Sequence, residues 1–168
     1  MVWWLRSGRY AWSRLRRRLL ESRYLNVVLP LASSVDEVRE CLEQIEWTPD
    51  GIFHLWDCIS YPQTTWKKKK DDCDGFSTLA CELLTRIPGG GFEPVLVTAV
   101  MHPVSKSHTV CAFKQSDGYL SFFDNQYLRE GYPDYEQVVE AISKRAERLV
   151  CWDVRSHSDF SLKEFHRV

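Results

Sequence analysis

Several things are missing from this 168-residue chain. No long apolar run occurs, and the mean hydropathy is −0.35, which argues against a membrane-embedded body. The opening Met1-Val-Trp-Trp-Leu5 is cut short by Arg6 and makes no secretory h-region. Six cysteines, at 41, 58, 73, 81, 111 and 151, include no Cys-x-x-Cys pair, so a zinc ribbon or thioredoxin-like motif is not expected. Net charge is nearly absent. The 22 basic and 23 acidic residues leave −1, which excludes a generally basic nucleic-acid binder. No internal repeat breaks the chain, and the lysine run at 67–70 is its sole low-complexity stretch.

These absences leave one domain as the expectation. The length suffices for a core without disulfide or metal staples. Without an export signal, a reducing compartment is expected: the cytoplasm, or the host's if a phage encodes the chain. The cysteines should then be thiols, most of them small buried hydrophobes.

What is present is unevenly placed. Aromatics reach 13%, with seven Trp, as suits a packed domain. Residues 1–25 carry seven arginines against Glu21, a net of +6, so the rest of the chain carries −7. The division is therefore a basic helix or arm over 1–23 and a body over 24–168. Trp12, Leu15 and Leu19 fall at helical spacing among the arginines. Two expectations follow. Either the stripe packs on the domain with the arginines in water, or the arginines meet an anionic partner such as nucleic acid, acidic protein or a membrane surface.

Along the body, residues 24–31 read as a short extended run. Ser34-Val-Asp-Glu37 is a capping box. It opens a helix to about residue 46, with Val35, Val38, Leu42 and Ile45 on one face and Thr48-Pro-Asp-Gly51 as the stop. Residues 52–66, interrupted by Pro62, predict a short helix or irregular turns. Phe76, Leu79, Ala80, Leu83 and Leu84 form a helical stripe that Pro88-Gly-Gly-Gly91 ends. Strands are expected at 94–102, 108–114 and 119–124, the last two joined by the hairpin signal Asp117-Gly118. A helix from Pro133-Asp134 to about residue 148 and a strand at 149–155 complete the chain. Helices followed by hairpin-joined strands predict an α+β fold rather than a doubly wound sheet.

One cysteine stands apart. Cys73 sits at a helix start behind Asp71-Asp72, where unpaired N–H groups and the helix dipole favour a thiolate. The neighbouring acids oppose that effect and the lysines assist it. A nucleophilic thiol needs a base and an orienting group. His108 opens one hairpin strand and Asp124 closes the other, so antiparallel pairing sets them at one sheet end. A carboxylate there holds an imidazole in its productive tautomer.

Three segments, Asp-Asp-Cys73-Asp-Gly-Phe-Ser-Thr-Leu, Ser-His108-Thr-Val-Cys-Ala-Phe and Phe-Phe-Asp124-Asn, resemble the transglutaminase-like cysteine peptidase superfamily, in particular its small bacterial and phage members of the papain-like clan. The resemblance spans about residues 47–126. It implies a helix bearing the nucleophile packed on an antiparallel sheet. Cys73 would be the nucleophile, His108 the general base and acid, and Asp124 the orienter. The reaction would pass through a thioester acyl-enzyme formed from a protein or peptide amide: a peptidase, amidase, deamidase or transamidase needing no cofactor and no metal. The Cys73 backbone N–H would donate to the oxyanion, with Gln63 and Trp66 as candidates for a second donor. Asp71 departs from the glycine many relatives carry there.

Other readings compete. A catalytically idle transglutaminase-like domain would serve as a binding module. An adaptor would bind an anionic partner through its arginine-rich helix. His102 is a rival base ahead of Pro103. His54 and Cys58 form an i, i+4 pair without a matching second pair. Cys41, Cys81, Cys111 and Cys151 read as core.

Overall fold

A computed structural model describes residues 8–49, 58–144 and 146–168. Its centre is a six-stranded sheet in the order β6-β5-β4-β3-β7-β8, every neighbouring pair antiparallel. The strands are β3 (Val95–His102), β4 (His108–Lys114), β5 (Leu120–Asp124), β6 (Tyr127–Tyr132), β7 (Arg148–Ser156) and β8 (Leu162–Arg167). A two-stranded parallel piece joins β1 (Glu46–Trp47) to β2 (Lys70–Asp71). The helices are α1 (Arg9–Arg16), α2 (Val35–Leu42), α3 (Pro62–Lys68), α4 (Cys73–Thr85) and α5 (Tyr135–Ser143). The chain is thus α+β with an antiparallel sheet.

Strand alternation gives the sheet two apolar faces. On one, Leu96, Cys111, Phe113 and Phe123 meet Phe76, Leu79, Ala80, Leu83 and Leu84 of α4. Val38, Leu42 and Ile45 of the α2 region complete that core, together with Tyr10 of α1. On the other face, Val95, Val97, Val110, Ala112 and Phe122 meet Val138 and Val139 of α5. The α2 and α4 stripes are where their spacing predicts, with Val38, Leu42 and all five α4 positions fully buried.

The capping chemistry is equally direct. Ser34 accepts from the Glu37 N–H at 3.2 Å, and the Glu37 carboxylate accepts from the Ser33 N–H at 2.7 Å. Those bonds to Ser33 hold the Glu37 carboxyl below its usual value. Pro62 stands at the first position of α3, where its missing N–H costs nothing. Lys67 and Lys68 close that helix, favourable at its negative end. Lys69 is its left-handed C-cap at φ 55°, and Lys70 begins β2. The lysine run is therefore a helix end and a short strand.

Several details differ from the sequence-based expectation. Tyr24 ends a short 3-10 helix, residues 25–27 turn, and 28–31 run without regular secondary structure. Helix α5 ends at Ser143, because the Glu147 N–H donates to the His102 carbonyl and β7 starts at Arg148. Strands β6 and β8 were not expected. The largest difference concerns α1 and the π-helical turn Arg17–Glu21 that continues it. Leu15 and Leu19 point outward, 45% and 69% exposed, while Arg9, Ser13, Arg17 and Glu21 are buried. The stripe that packs is the polar one.

That inversion has a physical cause. Residues 58–61 run beside α1 as irregular backbone, whose N–H and C=O groups need partners. Ser13 Oγ accepts from the Ile59 N–H at 3.0 Å. Arg17 donates to the Ile59 carbonyl at 3.0 Å and to the Ser60 carbonyl. Glu21 accepts from the Tyr61 N–H at 2.8 Å and the Thr64 hydroxyl at 3.0 Å. Burial lowers Arg17 to about 10, still protonated at neutral pH.

Candidate functional site

Helix α4 begins at Cys73. Asp72 caps it, accepting from the Asp74 N–H at 3.0 Å and the Gly75 N–H at 3.4 Å. Asp71 lies across the same turn. Its carboxylate accepts from the Thr65 hydroxyl at 2.6 Å and the Asp72 N–H at 3.0 Å. It also fills the space a side chain at position 75 would need: a Cβ on Gly75 would fall 2.1 Å from Asp71 Cγ. Gly75 is required by close approach, and Asp71 builds the turn that holds Cys73 at the helix end. Cys73 itself is half-buried, unlike Cys58, Cys81, Cys111 and Cys151, which are buried. Cys41 is also half-buried, and its thiol is pushed up by desolvation.

His108 is the first residue of β4 and Asp124 the last of β5. The ladder pairs Cys111 with Phe123 and Ala112 with Phe122, so both side chains sit at its open end. His108 Nε2 lies 2.7 Å from Asp124 Oδ1. Because a carboxylate only accepts, the imidazole donates from Nε2. The two side chains are 21% and 33% exposed, sheltered yet accessible.

Two bridges tie this strand end to the start of α4. Ser77 Oγ lies 2.7 Å from the Cys73 carbonyl and 3.0 Å from the Thr109 carbonyl. The Arg9 guanidinium spans Asp74 Oδ2 at 3.1 Å and Thr109 Oγ1 at 3.2 Å. The residues following the cysteine and the histidine are thus fastened to one another by a serine and an arginine. Arg9 also donates to Thr98 Oγ1 and Tyr10 Oη, both at 3.1 Å. The network continues through Tyr10 to Asp153 at 3.4 Å, and Arg155 closes on Asp153 at 2.8 Å. Burial raises the Tyr10 phenol, leaving it a donor at neutral pH.

Gln63 and Trp66 lie i, i+3 on α3, both half-buried, and α3 packs against α4. Trp66 rests on the main core with the Lys69 ammonium over its ring. His102 is elsewhere engaged: its Nδ1 pairs with Glu147 at 3.0 Å on the open surface, the ring 60% exposed. His54 lies outside the described residues, and among those described no group of three or more His, Cys, Asp or Glu is placed to hold a metal ion.

Arg9, Ser77, Thr109 and Asp153 escaped the sequence reading. One signal for Arg9 exists: Arg9, Ser13, Arg17 and Glu21 repeat every fourth residue, a polar stripe as regular as an apolar one. Partners 40 to 100 residues away in sequence are what turn it inward. Among the described residues no helix is long and apolar enough to cross a membrane. Compared with known proteins, the chain matches no protein-family model and no curated protein.

Proposed function

We propose that this protein is a cysteine-dependent amide-bond enzyme with a transglutaminase-like, papain-like core. The observation that carries the reading is the 2.7 Å bond between His108 Nε2 and Asp124 Oδ1, at a strand end fastened to the helix that starts with Cys73. With Nε2 given to Asp124, Nδ1 is the nitrogen that serves the thiol. The helix N-terminus favours the thiolate electrostatically.

In the proposed reaction the Cys73 proton passes to His108 Nδ1, and the sulfur attacks the carbonyl carbon of an amide. The tetrahedral oxyanion accepts from the Cys73 N–H, with Gln63 or Trp66 of α3 supplying a second donor. His108 returns its proton to the amine nitrogen as the C–N bond breaks, leaving a thioester. Water, deprotonated by His108, releases the acid and restores the thiol; an amine in its place gives transamidation. The substrate class is a protein or peptide amide, and a reducing, cytoplasmic location belongs to the same proposal.

The test is a peptidyl electrophile that traps nucleophilic cysteines, with the labelled site read by mass spectrometry. Labelling at Cys73, absent in Cys73→Ala and suppressed in His108→Ala, is expected. Undiminished labelling in His108→Ala overturns the reading and favours an idle binding domain.

A further inference from the structure

With its polar face consumed inside the protein, α1 and the turns after it leave their apolar residues outside. Leu15, Leu19 and Leu20 are 45%, 69% and 62% exposed, and Val28 and Leu31 reach 86% and 85%. None of these side chains serves either core. Arg14 and Arg18 are exposed beside Leu15 and Leu19, so cationic and apolar columns run side by side at four-residue spacing. Past the helix, Arg16, Leu19, Leu20, Arg23, Tyr24 and Lys68 line an open groove of about 290 Å³. The Arg23 guanidinium lies 4.9 Å and the Lys68 ammonium 5.9 Å from the centre of the Tyr24 ring. Glu21, which also borders the groove, is 2% exposed, bonded inward to Tyr61 and Thr64, and paired with Arg16 at 3.0 Å. The outward face is therefore leucine and cation.

We infer that this face docks on an anionic membrane surface. The leucines enter the headgroup boundary, and Arg18, Arg23 and Lys68 lie over lipid phosphates, while Arg14 donates to the Asp159 carbonyl at 3.0 Å. Two rival occupants fit that chemistry less well. A second copy brought up by a two-fold axis sets the same cations against themselves. Nucleic acid satisfies the cations but leaves the leucines in water. An interfacial helix with leucines flanked by arginines satisfies both. The inference is independent of the catalytic reading and stands if that reading fails.

The experiment is co-sedimentation of the full chain with phosphatidylcholine vesicles and with mixed phosphatidylcholine–phosphatidylglycerol vesicles. Binding to the mixed vesicles alone is expected, weakening as salt is added. Arg18→Gln with Arg23→Gln should weaken binding about fivefold per cation lost. Leu19→Ser with Leu20→Ser should weaken it by roughly tenfold or more. All four side chains are exposed, so thermal unfolding should match that of the wild type. The inference is overturned by absence of binding to anionic vesicles, by binding indifferent to salt, or by either double variant binding like wild type. Two further results overturn it in favour of another occupant: duplex-DNA binding that survives the leucine changes, or a dimer that those changes dissolve.

Discussion

At the level of single residues, the proposed site rests on a carboxylate bonded to His108 and an arginine that ties α4 to β4. Asp124→Asn preserves shape while offering a donor where His108 needs an acceptor. Acylation of Cys73 by an amide-directed electrophile should fall by roughly 10³–10⁴-fold, with folding intact; a loss under tenfold would remove Asp124 from the mechanism. Arg9 and Asp74 form an ion pair whose side chains are 4% and 2% exposed. Removing one partner strands the other in a dry interior, so Arg9→Met should cost about 3–5 kcal/mol. Adding Asp74→Asn should recover part of that cost, because no charge is then left unpaired. Urea denaturation of the two single variants and the double variant checks this. Simple additivity would mean that the pair does not interact.

Among the elements, the turn from β2 into α4 sets the position of Cys73, and Gly75 is its tightest point. Gly75→Ala should destabilise by about 1–3 kcal/mol, because Asp71, held by Thr65 and the Asp72 N–H, has little room to move. Adding Asp71→Ala should restore part of the loss, as read by thermal unfolding. If the double variant is no more stable than Gly75→Ala, the close approach is not the cause. This is also the scale at which sequence and structure compare most instructively. Helices α2 and α4 were readable because each buries one regular stripe, and strands β3, β4, β5 and β7 because most of their residues are buried on both faces of the sheet. Strands β6 and β8 were not: most of their residues are exposed, and backbone pairing to a neighbour decides them. The face that α1 buries was misread for a related reason. Hydropathy places leucine inside and arginine outside, whereas the partners that bury Arg9 and Arg17 come from distant strands and the 58–61 backbone. The His108–Asp124 pairing was readable because hairpin register is local. Its attachment to α4 through Ser77 and Arg9 was not, since that is a tertiary arrangement.

Across the whole molecule, a buried polar network runs from α1 through the sheet to β7, and it makes stability depend on pH. Burial raises the Asp153 carboxyl, with Arg155 and Arg9 acting in the opposite direction. Between the unfolded value of about 3.9 and that raised folded value, the native protein holds a proton the unfolded chain has released. Stability from this group is therefore present at low pH and lost as pH rises through the window. Asp153→Asn cannot titrate, so it should gain on the wild type as pH climbs through the same window. Parallel urea midpoints for the two proteins across those pH values would show that the folded Asp153 carboxyl is not raised above its unfolded value. The network also sets the N-terminal helix against the strands and ties Asp74 of α4 to Thr109 of β4. The most direct measurement of the proposed Cys73–His108 pair is the rate of Cys73 alkylation by iodoacetamide against pH, resolved by mass spectrometry in wild type and His108→Ala. The wild type should react rapidly at neutral pH, well below the value near 8.5 at which an ordinary thiol ionises, and His108→Ala should move the profile up to that ordinary range. Superimposable profiles, both following an ordinary thiol, would contradict a Cys73–His108–Asp124 catalytic unit.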